Sequence, residues 1–288
     1  MLEALVPALR LVDPSLTLLA VSADDSFNKE WLNTASVTPF VGAASVHIGY
    51  ANSDGGGSPA SAASATAQVK LPQTSVLAQL AATRAMLDAG AGWGTHVRIS
   101  VDEWGLGPPW VVQNFNTAHA LFGASFLTMA LNAAELYGME YTNYFEPINE
   151  GAIQVLQFSA SPTPLGVVLP FFGALAGATR LAVTESGAGD DDVAAVAAVA
   201  GAPWRLTLLL TNRNATGGWT QLVRFDGEAV AAVANVELLA ATGGFSTGSF
   251  FTASEFPVPV APDGWAAVPL PPFSVARVTV DCLSCQSR

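Results

Sequence analysis

The sequence predicts an α/β segment of (β/α) barrel type followed by an all-β sandwich. Three observations carry this reading. Up to Gly177, short apolar runs of strand length alternate with segments of helical period, at a spacing near that of a (β/α) barrel. Beyond Gly177 the helical pattern gives way to short alternating strands with turn residues between them, as in a sandwich. Polar and ionisable side chains also gather where the early apolar runs end: His47, Tyr50, Asp102, Glu103, Asn143, Glu146 and Asn149. The expected division is therefore a barrel-type domain over 1–177 and a sandwich over 178–288.

Taken in order, Glu3 to Leu11 reads as an amphipathic helix stopped by Asp13-Pro14. Leu16 to Val21 is a continuous apolar run, as a strand covered on both faces would be. Ala23 to Glu30 is polar loop. Val41 to Tyr50 is a second buried strand that ends on His47 and Tyr50. Ser53 to Ala67, rich in Gly, Ser and Ala, reads as a mobile loop or insertion. Ser75 to Ala89 is a helix with Leu77, Leu80, Ala81 and Met86 on one face and Gly90 and Gly92 at its end. His96 to Trp104 is the central strand, with Val97, Ile99 and Val101 alternating against Arg98 and Ser100. Asn116 or Thr117 caps a helix that runs to about Leu136 and is apolar almost all round, so it packs on more than one side. Met139 to Phe145 is a further strand leading into Glu146-Pro147-Ile148-Asn149-Glu150, and Thr163-Pro164 opens a helix that stops at Gly177.

In the second part the clearest strands are Arg205–Thr211, Gln221–Phe225, Ala231–Leu239 and Ser274–Val280. In the last, Ala276, Val278 and Val280 face one way while Arg277 and Thr279 face the other. Ser186 to Asp192 reads as a loop.

Composition limits the partners. The 288 residues are 51% hydrophobic with a mean hydropathy of +0.40, enough for a substantial core. Net charge is −12, and the 11 Lys and Arg residues are dispersed, which argues against nucleic acid and against an anionic membrane. The apolar runs Ala120–Leu131 and Leu165–Gly177 are too short to cross a bilayer. Met1-Leu2-Glu3 opens directly into helical pattern, without the features of a signal peptide. The three histidines (His47, His96, His119) lie in different elements without ligand spacing, so no metal is expected. There is no phosphate-binding glycine loop and no Gly-x-Ser-x-Gly elbow, so no cofactor is expected either. Cys282 and Cys285 read as a tail disulfide or as two idle thiols. The sequon Asn214-Ala215-Thr216 matters only in a secreted protein.

The central strand stops on Asp102-Glu103-Trp104 at the edge of a loop marked by Gly105, Gly107, Pro108 and Pro109. A carboxylate at the carboxyl end of a buried strand is where α/β enzymes keep catalytic groups. A surface acid pair at a strand end is the plain alternative. Likewise His47 reads as a site residue or a satisfied core histidine, Tyr50 as a site residue or simple packing, and Glu146 as site-lining or a loop carboxylate.

The segment HVRISVDEWG resembles the strand-seven motif of glycoside hydrolase family 51, the α-L-arabinofuranosidases, in which the Glu of a DEW motif is the nucleophile. VDPSLTLLAVS is similar to that family's strand-five segment and ASVHIGY to its strand six. NTAHALFGASFLTMALNAAELYG resembles the helix after the nucleophile strand, YTNYFEPIN an Asn–Gln–Asn strand, and SPTPLGVVLPFFGALAG the last barrel helix. VPLPPFSVARVTV is similar to the final strands of the family's C-terminal sandwich. The segments occur in collinear order over most of the chain.

The resemblance implies the C-terminal part of a (β/α)8 TIM barrel, about strands five to eight, then the sandwich. Glu103 would be the nucleophile, with His47, Tyr50, Trp104, Asn143 and Glu146 as substrate-binding residues. Glu146 stands where the family has Gln, and Gly49 where a tyrosine usually supports the nucleophile. The family's acid/base Glu ends strand four in an Asn-Glu motif, before the first matched segment. Glu3 does not match that motif, and Glu150 falls after strand eight. Retaining hydrolysis needs both carboxyl groups, about 5–5.5 Å apart. Two functions follow: a retaining hydrolase of arabinose-containing polysaccharides or oligosaccharides whose acid/base lies outside this stretch, or a non-catalytic carbohydrate-binding remnant. The open edges of half a barrel imply self-association, so a homo-oligomer is a candidate state. Secretion fits the substrate.

Overall fold

The computed structural model describes residues 2–16, 18–20, 41–50, 59, 61–89, 97–106, 116–144, 155–157, 159–185, 190–201, 203–226, 229–243, 245 and 249–285. In chain order these form α1 (Leu2–Val12), β1 (Leu18–Ala20), β2 (Val41–Val46), β3 (Gly49–Tyr50), α2 (Ala62–Lys70), α3 (Ser75–Ala89), β4 (Arg98–Val101) and β5 (Trp104–Gly105). Then come α4 (Thr117–Tyr137), β6 (Met139–Thr142), α5 (Pro164–Gly173), β7 (Thr179–Leu181), β8 (Val193–Ala200), β9 (Arg205–Asn212) and β10 (Trp219–Arg224). The last strands are β11 (Val233–Thr242), β12 (Phe250–Pro259), β13 (Trp265–Leu270) and β14 (Ser274–Asp281). The chain divides into two compact, discontinuous units: Met1–Ala51, Pro72–Gly105 and Met129–Phe145 in one, and Asn52–Leu71, Leu106–Thr128 and Glu146–Arg288 in the other.

The first unit is built on a parallel sheet of order β1-β2-β4-β6. Spatial order follows chain order, with α3 connecting β2 to β4 and α4 connecting β4 to β6, which is the connectivity of a (β/α) barrel. The two central strands, β2 and β4, are buried on both faces, so they read as near-continuous apolar runs: Ala43, Ala44, Ile99 and Val101 are all at most 1% exposed. α3 is pinned to β4 by Arg84, whose Nη1 donates to Val97 O at 2.7 Å while Nε donates to Asp88 at 2.9 Å. The buried face of α3 is Val76, Leu80, Thr83, Arg84 and Leu87. It is rotated from the expected stripe, leaving Leu77, Ala81 and Met86 half-buried. Arg84 reverses its expected polarity because its guanidinium finds a buried acceptor in Val97 O and a second, at the surface, in Asp88.

Several boundaries differ from expectation; the expected strand Val41–Tyr50, for one, is interrupted between β2 and β3. The segment expected as loop through Ala67 becomes helix from Ala62, because Ser61 Oγ caps it by accepting from Ser64 N at 3.1 Å and alanine favours helix. Residues 53–58 and 60 of that segment lie outside the described residues. The central strand is not continuous: β4 ends at Val101, two residues leave the ladder, and β5 begins at Trp104. His96 lies outside the described residues. α5 ends at Gly173 rather than at Gly177, which adopts a φ of +73° in the turn that follows.

The second unit contains the sandwich. A six-stranded antiparallel sheet of order β12-β11-β14-β9-β8-β7 packs over the antiparallel pair β10-β13. Alternate residues of the facing strands form the core, among them Leu206, Leu208, Leu210, Val236, Val268, Leu270, Val278 and Val280. Ala276, Val278 and Val280 face this core, as their alternation predicts. On the sheet's other face, α5 places Phe171 5.0 Å from the Arg277 guanidinium, which also pairs with Glu237. α2 belongs to this unit: Lys70 pairs with Asp192, and Thr66 Oγ1 accepts from Ala215 N at 3.0 Å. Burial alone would raise the Asp192 pKa; the bonds from Lys70 and Asn214 and the charges of Lys70 and Arg213 outweigh it and hold it below the usual carboxylate value. Asn116 caps α4, its Oδ1 accepting from His119 N at 2.8 Å. Cys282 and Cys285 form a disulfide. Among the described residues no helix is long and apolar enough to cross a membrane.

Candidate active site

The geometry begins with the register of two strands. Ser45 lies opposite Ser100 and Val46 opposite Val101 on β2 and β4. The ladder then stops for two residues on each strand. It resumes in the same register between β3 and β5, where Gly49 pairs with Trp104 and Tyr50 with Gly105. Residues 47–48 and 102–103 therefore form a matched gap between two paired stretches. The candidate residues His47 and Glu103 both stand in it, at the carboxyl end of the parallel sheet.

Across this gap His47 Nδ1 is 3.7 Å from Glu103 Oε2, longer than a hydrogen bond but within ion-pair reach. Their side chains are 25% and 30% exposed, so both reach solvent while resting on the strand ends. Asp102 faces a different environment. Ser45 Oγ and Ser100 Oγ donate to its two carboxylate oxygens, and both serines are fully buried. The backbone N–H of Asp102 donates to Val46 O at 3.3 Å.

β6 joins from the other side. Asn143 N donates to Val101 O at 3.0 Å, which sets this exposed residue level with the gap. Trp104 is only 2% exposed, and its ring packs against Tyr144 with centroids 4.6 Å apart and planes at 59°. The structure thus brings His47, Glu103, Trp104 and Asn143 to the ends of neighbouring strands. Tyr50 is placed by its backbone on β3, beside Gly105; its side chain lies outside the description. Glu146, Asn149 and Glu150 lie outside the described residues. Sequence reasoning passed over Ser45, Ser100 and Tyr144. The signal for Ser100 was its place two residues before Asp102, which puts both on one side of the strand. Among the described residues no cluster of His, Cys, Asp and Glu could hold a metal ion.

No family model and no curated protein matches the sequence. Solved structures do match. The α-L-arabinofuranosidase of Thermotoga maritima, solved as an arabinose complex, superposes with a TM-score of 0.70 at 13% identity, over 97% of this chain and 60% of that one. The chain has the fold of the family 51 arabinofuranosidases. A family 51 α-L-arabinofuranosidase from Bifidobacterium longum matches at TM-score 0.70 and 17% identity, covering 97% of this chain and 62% of that one. A family 44 xyloglucanase from Paenibacillus polymyxa matches at 0.63 and 10%, covering 97% and 59%. The chain thus spans about 60% of the length of these structures. Its fold is the C-terminal part of a (β/α)8 barrel followed by an all-β sandwich, as the strand order and the sandwich core describe it.

Proposed function

We propose that the chain carries the nucleophile half of a retaining glycoside hydrolase acting on α-L-arabinofuranosides, with Glu103 as nucleophile. The observation that supports this is the matched gap at the sheet's carboxyl end, which sets Glu103 beside His47. In the first step a Glu103 carboxylate oxygen bonds to the anomeric carbon as the bond to the leaving oxygen breaks. A second carboxyl group protonates that oxygen, then takes a proton from the water that releases the sugar. That second group is expected in an Asn-Glu motif outside the matched segments. His47, Tyr50, Asn143 and Glu146 would contact the sugar, and Trp104, packed on Tyr144, would back Glu103. The division proposed is a barrel-type domain over 1–177 and a sandwich over 178–288, and the tail disulfide fits a secreted protein.

A dinitrophenyl α-L-arabinofuranoside tests the reading, because its phenolate leaves without a proton. Incubation followed by intact mass measurement is expected to show one added pentosyl group on Glu103, absent from Glu103→Gln. A folded sample that never gains this mass would overturn the assignment. Gly49, at the place of the family's supporting tyrosine, favours a second reading, a carbohydrate-binding protein without turnover. Retention on arabinan without any adduct would support that one.

A further inference from the structure

The backbone ladder that fixes β2 and β4 stops just before the candidate nucleophile. Beyond the Asp102 N–H bond to Val46 O the regular β2–β4 pairing is interrupted until Trp104, and Glu103 stands in that interruption. At that point a side chain takes over. Ser45 and Ser100 are direct neighbours across the two strands, and both are fully buried. Their hydroxyls converge on Asp102, one to each carboxylate oxygen. A carboxylate that accepts at both oxygens from groups fixed on two strands has no remaining rotational freedom, and its backbone is fixed with it. The N–H of Asp102 adds a third tie, to Val46 O.

We propose that Asp102 is a positioning residue: clamped by Ser45 and Ser100, it fixes the backbone from which Glu103 projects toward His47. This rests on the reading of Glu103 as nucleophile, but the clamp itself is testable without any sugar. The two serines act with Asp102 as a unit. Asp102 does not touch substrate; it acts through Glu103.

The clamp works by geometry rather than by charge, so the conservative variant discriminates. Asp102→Asn keeps an oxygen that accepts from one serine and an amide that donates to the other. Asp102→Ala keeps neither. Two readouts are made on the whole chain, with thermal melts to confirm folding. The first is the rate at which a carbodiimide and an amine modify Glu103, followed by peptide mass spectrometry. The second is the rate of pentosyl transfer from the dinitrophenyl arabinofuranoside, split into its value at saturation and its half-saturation concentration.

Asp102→Ala is expected to raise carbodiimide modification of Glu103 several-fold, and to slow pentosyl transfer at saturation by about 100-fold. The half-saturation concentration should move by less than about threefold. Asp102→Asn should stay near wild type in both readouts. The Ser45→Ala/Ser100→Ala double variant should behave as Asp102→Ala does, and serves in its place if Asp102→Ala does not fold. Unchanged carbodiimide modification of Glu103 in a folded Asp102→Ala or double-serine variant overturns the proposal. If that modification responds as expected while wild type never accepts a pentosyl group, the clamp stands and the hydrolase reading falls.

Discussion

His47 Nδ1 faces Glu103 Oε2 at 3.7 Å across a two-residue gap in the β2–β4 ladder. Both side chains are partly exposed, so the contact contributes little to folding. Under the proposed function its value would lie in orienting the carboxylate and placing a donor beside it as charge shifts to the sugar. His47→Ala is expected to slow pentosyl transfer to Glu103 by about 10- to 100-fold. Its urea midpoint should correspond to a stability within about 1 kcal/mol of wild type.

Trp104 sits behind this pair with its ring against Tyr144 and almost no exposure. Trp104→Ala removes a large buried ring and should cost about 3–5 kcal/mol in urea unfolding. Trp104→Phe keeps an aromatic face toward Tyr144 and should cost clearly less. Equal losses for the two variants would mean that the ring stacking contributes nothing.

Acid should weaken the protein through His119. Burial pushes its pKa from 6.5 down to about 4. The folded imidazole stays neutral where the unfolded one already binds a proton, so the unfolded state gains as pH falls. The loss begins near pH 6.5, grows to about pH 4, and totals on the order of 3 kcal/mol from this group. His119→Gln should flatten the fall in denaturant stability across that window relative to wild type.

Two glycines of α5 should respond in opposite directions to the same change. A Cβ on Gly166 would overlap the carbonyl oxygen of Val155, which already accepts from Thr163 N at 2.9 Å and from Thr163 Oγ1 at 3.1 Å. A Cβ on Gly173 meets nothing within 4 Å. Gly166→Ala is expected to destabilise by about 2 kcal/mol or more, and Gly173→Ala to stabilise by about 0.5 kcal/mol. Paired thermal melts read both.

The parts of the fold that were legible were those governed by local pattern. The helix caps at Asn116 and Thr163, the apolar all-round character of α4 and the alternation of β14 all follow from cap chemistry and side-chain period. β12 escaped because it is an edge strand with Pro257 and Pro259 and mostly exposed residues, so it has no inner–outer alternation to read. β8, a run of Val and Ala covered on both faces, escaped for the opposite reason. Within the site, Glu103 and His47 stood out as ionisable residues at the ends of apolar runs. Asp102 could be read as making structural hydrogen bonds at the strand end, but its two serine partners could not, since Ser45 and Ser100 lie 55 residues apart and meet only through strand register.

The order of strands in the sandwich dictates how this chain can emerge from a ribosome. β14 is the latest strand of the six-stranded sheet to be synthesised, yet it lies between β11 and β9. Until it leaves the exit tunnel, β7-β8-β9 and β11-β12 can form only as separate antiparallel pieces, with the β9 and β11 edges that β14 will cover still unsatisfied. At about 5–20 residues per second that interval lasts a few seconds. Nascent-chain stalling before Ser274 should therefore leave two sticky half-sheets for a chaperone to hold, and release past Asp281 should close them in one step.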